Sequence, residues 1–237
     1  MNSLPQPPSR HLWHCTLTID AHNSWIRSIA VDSQGRYIIS GSGDRTGKLW
    51  QRNSGQLHQT LQGHSSWVRA LAISPDDSMI ASGGNDNSIC LWRLDQEQPV
   101  AILKGHSDSV RTVTFSPDGQ WLYTGSQDTT VRRWAVATGT LQNTVLTHQH
   151  WIRTLVLSPD GQTLVTSTQD QEINICDTAT GKIRRSLQRH TDDIVSLAIS
   201  PDGELLVSGG ADHKVMFWRL RDGRFLGELD AHAKGVN

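Results

Sequence analysis

The chain has 237 residues, 22 Lys and Arg against 23 Asp and Glu, a formal net charge of −1 and 3 Cys. That length buries a core without disulfide staples, and the near-neutral charge gives no global attraction to nucleic acid or to a membrane surface. Cys15, Cys90 and Cys176 lack metal-ligand spacing, the opening MNSLPQPPSR has no apolar h-region, and no stretch approaches the ~18 apolar residues of a membrane helix, so a soluble cytoplasmic protein is expected.

Residues 1–11, with Pro5, Pro7 and Pro8, read as a mobile arm, and 12–237 as one repeat domain. His22, His64, His106, His148, His190 and His232 recur every 42 residues without slippage. Asp44, Asp86, Asp128, Asp170 and Asp212 lie 22 residues after their histidines, and Trp50, Trp92, Trp134 and Trp218 six further on, with Cys176 in the fourth slot. Such self-similarity marks a repeat architecture with units beginning near 22, 64, 106, 148 and 190 and a truncated sixth from 232.

The second unit shows what one repeat encodes. After His64 come Val68, Leu71 and Ile73 and the turn signal SPDD; Ile80 and Ser82 open the next run. Gly83-Gly84-Asn85-Asp86 makes a turn, Ile89 and Leu91 alternate before Trp92, and a fourth run spans Pro99 to Leu103. Short apolar runs bounded by Ser, Pro, Asp and Gly read as strands, and four antiparallel strands per unit make one blade of a β-propeller. Core-type residues sit four, seven and nine after each His, as in Ile26, Ile29 and Val31. A step of three followed by one of two needs an extra residue, so a β-bulge is expected at Arg27, Arg69, Arg111, Arg153 and Val195.

These units resemble WD repeats from about Leu12 onward. The matching features are Gly63-His64, Gly105-His106 and their variants Ala21-His22, Thr147-His148 and Arg189-His190, the hairpins Ser116–Gly119, Ser158–Gly161 and Ser200–Gly203, the turn Asp and the closing Trp. The regular spacing is similar to bacterial, particularly cyanobacterial, members. The Asp that names the family is absent after Trp in four units (Gln51, Arg93, Ala135, Arg219), while Asp177 follows Cys176.

Ser40, Ser82, Thr124, Thr166 and Ser208 complete a recurring Ser/Thr, His, Asp and Trp set. A hydrolase triad is normally built once, whereas this set is repeated. The resemblance implies a structural tetrad instead: the turn Asp accepts from the His ring and from backbone N–H groups, the His contacts the hydroxyl, and the hydroxyl meets the indole N–H. Cys176 cannot replace that indole, so the fourth blade is expected to be the weakest. Gly41–Leu49 lacks the hydroxyl and spacing of a phosphate loop, and His148-Gln149-His150 lacks a completing ligand. No catalytic residue, metal or cofactor is assigned. Arg133, where other units carry Leu49, Leu91, Ile175 and Phe217, needs a partner that the sequence does not name.

In the family the narrow face of the disc docks peptides and proteins. Here it carries Arg27, Arg69, Arg111 and Arg153, with Trp25, Trp67, Ser109 and Trp151 two residues earlier and Asn85, Gln127 and Gln169 before the turn Asp. Asp193 and Val195 break the pattern in the fifth unit. Arg with Trp suits an acidic or phosphorylated peptide, so a non-enzymatic protein-interaction scaffold is the expected function. The alternatives are a propeller that binds single-stranded nucleic acid, a fragment completed by another chain, and an arc merely copied by repeat expansion. Six outer-strand runs, including Cys15–Ile19 and Phe225–Leu229, accompany five inner sets, so an incomplete or open ring is expected, with end faces that invite self-association or a completing chain.

Overall fold

Short apolar runs separated by turn residues can satisfy their backbone only by pairing, and each unit does so locally. The structure, a computed structural model, describes residues 15–230; the arm at 1–11 and the start of a sixth unit at His232 lie outside the described residues. The first sheet contains β1 (Ile26–Val31), β2 (Tyr37–Ser42), β3 (Thr46–Gln51) and β4 (Leu57–Gln62). The second contains β5 (Val68–Ile73), β6 (Met79–Gly84), β7 (Ile89–Arg93) and β8 (Ala101–Leu103), and the third β9 (Val110–Phe115), β10 (Trp121–Ser126), β11 (Thr130–Ala135) and β12 (Thr140–Thr147). The fourth contains β13 (Ile152–Leu157), β14 (Thr163–Thr168), β15 (Glu172–Asp177) and β16 (Ile183–Gln188). The fifth contains β17 (Ile194–Ile199), β18 (Leu205–Gly210), β19 (Lys214–Arg219) and β20 (Arg224–Asp230). Each is a four-stranded antiparallel meander in chain order, the expected blade.

Every inner strand bulges where the apolar spacing requires it. The ladder skips Arg27, Arg69, Arg111, Arg153 and Val195. The outer strand of the second blade is shorter than expected, because β8 begins at Ala101 and not at Pro99. Proline has no N–H to give to β7, and Glu97 stands where Gly55, Gly139, Gly181 and Gly223 adopt positive φ in the other hairpins.

The core lies between blades. Ile39, Leu49 and Leu61 bury against Val68, Leu71 and Trp92. Equivalent residues repeat the contact three times, ending with Val165, Ile175 and Leu187 against Ile194, Leu197 and Trp218. Close approach depends on small residues at one inner position: a Cβ on Gly83 would lie 2.5 Å from Val110 Cγ1.

Inner strands pack in sequence, β1 on β5, β5 on β9, β9 on β13 and β13 on β17, and no contact of that extent returns from β17 to β1. Exposure records the opening. Leu71, Leu155 and Leu197 are 7%, 3% and 7% exposed, whereas Ile29 at the same position of the first blade is 63% exposed. At the far end Leu229 is 56% exposed, although its counterparts Leu61, Leu103 and Leu187 are buried. The described residues therefore form an open arc of five blades.

Cys15–Ile19, expected as an outer strand, forms none. Its side chains still occupy outer-strand positions. A Cβ on Gly55 would lie 2.7 Å from Leu17 and 3.3 Å from Ile19, just as one on Gly139 would lie 3.6 Å from Ala101 and 2.9 Å from Leu103 of the preceding blade. With no sheet beside it among the described residues, the segment has no ladder to join.

Candidate protein-interaction face

The face rests on the turns between the second and third strands of each blade. In the first blade His22 Nδ1 lies 2.9 Å from Asp44 Oδ2, His22 Nε2 lies 2.7 Å from Ser40 Oγ, and Trp50 Nε1 lies 2.8 Å from the same hydroxyl. The third blade repeats this with His106, Asp128, Thr124 and Trp134 at 2.8, 2.8 and 2.9 Å. The fifth does so with His190, Asp212, Ser208 and Trp218, also at 2.8, 2.8 and 2.9 Å. An ionised carboxylate only accepts, so imidazole Nδ1–H donates to it, the hydroxyl donates to Nε2, and the indole N–H donates to the hydroxyl oxygen. Burial opposes ionisation of Asp44, but hydrogen bonds from Thr46 and His22 prevail and hold its carboxyl at about 2. Asp86 and Asp128 are likewise held low against burial.

Each of the first three turns holds a further donor outside the tetrad, marked in the sequence by a hydroxyl residue two positions after the Asp. Thr46, Ser88 and Thr130, each two residues after the turn Asp, donate their hydroxyls to Asp Oδ1 at 2.7 Å. Backbone N–H groups of Thr46, Ser88, Thr130 and Lys214 also donate to that oxygen, closing Asx turns. The intervening residue takes positive φ, 72° at β-branched Thr129, a strained conformation held by this network.

Two units depart from the expected tetrad. In the second, His64 reaches Asp86 at 3.0 Å and Ser82 at 2.6 Å, but Trp92 Nε1 is buried without a partner. Leu57 and Leu141 stand opposite Trp50 and Trp134, whereas the short β8 pairs only as far as Leu91. In the fourth, Thr166 Oγ1 lies 3.1 Å from His148 Nε2, yet His148 makes no hydrogen bond to Asp170. Asp170 accepts from Thr168 at 2.5 Å and lies 3.8 Å from His150 Nε2. The cause is one residue earlier. Where β4, β8 and β16 stop at Gln62, Leu103 and Gln188, two or three residues before their histidines, β12 continues to β-branched Thr147, pairing with Thr130 across a bulge at Val145 that shifts the entry of His148. Burial then pushes His148 below the ordinary imidazole range, against the charges of Glu172 and Asp170.

On this base the bulges present the arginines. The N–H groups of Gly43, Asn85, Gln127, Gln169 and Ala211 donate to the carbonyls of Trp25, Trp67, Ser109, Trp151 and Asp193, tying each turn to the residue two before the bulge. At one end Trp25 and Trp67 meet edge to face, 6.4 Å between centroids. Arg27 Cζ lies 4.8 Å from the Trp25 ring and 5.3 Å from Trp67, and Arg69 Cζ lies 4.9 Å from Trp67. Arg69 Nε also donates to Asn85 Oδ1 at 2.6 Å, which accepts from Ser109 Oγ at 3.1 Å. Gln127 and Gln169 contribute backbone ties alone among the described contacts.

At the other end Arg153 pairs with Asp193, while its buried Nε has no partner. Arg111 stands between these groups. Burial, and then the charges of Arg69, Arg153 and Arg27, push its guanidinium down to about 10, with Asp193 the acid pulling the other way. Burial followed by the Arg27 charge also lowers Arg69. Arg133 lies elsewhere, its guanidinium stacked 4.8 Å from the Trp121 ring centroid and its Nε buried without a partner.

Residues 10–172 match the family described as the WDR36/Utp21 second beta-propeller domain, and residues 181–219 match the WD domain, G-beta repeat. Among curated relatives, the pre-mRNA-splicing factor prp46 of Emericella nidulans is 42% identical over 57 residues, covering 24% of this chain and 13% of that protein. PRP46 of Candida glabrata is 42% identical over 60 residues (24% and 14%), and pleiotropic regulator 1 of Homo sapiens 36% over 59 residues (25% and 12%). The matched stretch is thus a small part of each relative. The blades, the repeated polar network and the match over more than half of the sequence agree: the chain belongs to the WD-repeat β-propeller family.

Proposed function

We propose that the protein is a non-enzymatic protein-interaction scaffold that binds an acidic or phosphorylated peptide on the Arg27–Arg153 face. The observation that carries this reading is electrostatic. Four guanidinium groups share one face, and among the described residues Arg153 alone of the four is paired with a carboxylate, that of Asp193, while Arg111 lies among like charges. A bound anion relieves that repulsion. The family membership and the relatives, which include splicing factors by name, support protein partners in general.

Single-stranded nucleic acid is the weaker reading. Stacking of bases needs open aromatic faces; arginines lie against the Trp25 and Trp67 rings, so of the three tryptophans on the face Trp151 alone, 40% exposed, has no cation over it among the described residues. Anisotropy titrations with a fluorescein-labelled Asp/Glu-rich peptide and with an oligothymidine of equal charge, repeated across salt concentrations, separate the two. The scaffold reading expects the peptide to bind more tightly at physiological salt. A tighter oligonucleotide whose affinity falls steeply with salt supports the alternative.

A further inference from the structure

Not all four arginines are equally free. Arg27 and Arg69 are committed to Trp25, Trp67 and Asn85, so their charge lies along an aromatic ladder. Arg153 is held by Asp193 from the neighbouring blade. Arg111 has no carboxylate within ion-pair distance among the described residues, and its neighbours on either side are cations. Beside it, the buried Nε of Arg153 is a donor without an acceptor. Uncompensated charge and an unused donor therefore meet between the third and fourth blades. Asp193 stands at the edge of that site as an internal anion.

Resting on the reading above, we propose that this site takes a phosphate monoester, the side chain of a phosphorylated Ser or Thr, seated between Arg111 and Arg153 in competition with Asp193. The chemistry favours phosphate over carboxylate. Asp193 is already a carboxylate on Arg153 at high effective concentration, so a second carboxylate gains little beyond Arg111. A phosphate monoester carries close to two charges and three strong acceptor oxygens, enough to engage both guanidinium groups and to replace Asp193. The fifth blade supplies the acid where other blades carry Trp or Ser, so Asp193 keeps the pair of arginines partly neutralised until a more highly charged anion arrives. Asp193 is thus a selectivity gate.

Calorimetric titration of the full chain with three acetylated, amidated pentapeptides, Ala-Ala-X-Ala-Ala with X as phosphoserine, Glu or Ser, tests this. The expected order is phosphoserine, then Glu, then Ser. Arg111→Gln should weaken the phosphoserine peptide by about tenfold or more, the scale of a charge-assisted hydrogen bond. Asp193→Asn should strengthen it by about two- to fivefold, the scale of one partly exposed ion pair. Melting curves of both variants check that the fold is retained. Equal affinity for the Glu and phosphoserine peptides, or an Asp193→Asn variant that binds the phosphoserine peptide no better than wild type, overturns the site assignment. If Glu-containing peptides still bind and respond to Arg69 and Arg111, the broader anionic-peptide reading survives; if no anionic peptide binds, both fail.

Discussion

Arg153 of the fourth blade is ion-paired with Asp193 of the fifth, and Asp193 occupies the position at which the first, second and fourth blades carry Trp25, Trp67 and Trp151. One substitution in a repeating pattern thus gives the face a polarity, aromatic at its first blade and charge-compensated at its last. Between these ends Arg111 has neither device. The face is built from the same bulge five times but differs chemically at each step.

The tetrads make a contrast that can be measured at two tryptophans. Trp134 Nε1 donates to Thr124 Oγ1 at 2.9 Å, whereas Trp92 Nε1 is buried without an acceptor. Trp134→Phe loses a hydrogen bond and should cost about 1 kcal/mol more than Trp92→Phe, which relieves an unsatisfied donor. Urea unfolding of both variants checks this; an equal or larger loss for Trp92→Phe contradicts it.

The fourth blade should open most readily. Its His148 is not joined to Asp170 and Cys176 donates no indole hydrogen bond. Amide exchange at Leu155 and Ile173 is expected to be faster than at their third-blade counterparts Val113 and Val131, and His148→Ala should cost less stability than His106→Ala. Equal protection of the two blades would falsify this ordering.

The blade meanders, their bulges and the turn network were legible in the sequence because each depends on residues within one 42-residue period, and five copies restate the same rule. Departures arise where one unit changes a neighbour outside its motif. Pro99 and Glu97 shorten β8 and remove the strand opposite Trp92, and Thr147 extends β12 and moves His148. The Arg153–Asp193 pair joins residues of different blades, so no pattern within a unit announces it. Cys15–Ile19 carries strand-like residues, but a strand needs a neighbour as well as a composition.

Acid should destabilise the fold in two windows. Asp44, Asp86, Asp128 and Asp212 have carboxyls lowered in the folded protein, against burial, by their hydrogen bonds. Their stabilisation is complete above the unfolded value near 4 and is lost as pH falls through the folded values. His148 is lowered by burial, so the unfolded chain binds its proton first and stability falls as pH drops below about 6.5. Urea midpoints from pH 8 to 3 should show a shallow early decline that His148→Gln reduces, then a steep one. An early decline of the same size in His148→Gln contradicts the assignment to His148.

The two ends of the arc present the halves of an interface that recurs four times within it. Ile29 and Val31 lie bare at the first blade, and Leu229 at the fifth. The 237-residue chain should therefore associate as concentration rises, and Ile29→Lys with Leu229→Lys should reduce that association with little loss of stability, since both positions are exposed. Light scattering is the check, and a wild-type chain that stays monomeric across the range contradicts it.

The most direct test of the face is charge reversal within it. Arg69→Glu with Arg111→Glu places two acids among Arg27 and Arg153, so repulsion inside the cluster falls and the fold should persist, with a melting temperature within a few degrees of wild type. Titration of an Asp/Glu-rich peptide into wild type and the double variant at one ionic strength should show binding only to the wild type. Equal affinity for both proteins, with both folded, would contradict the arginine face as the binding surface.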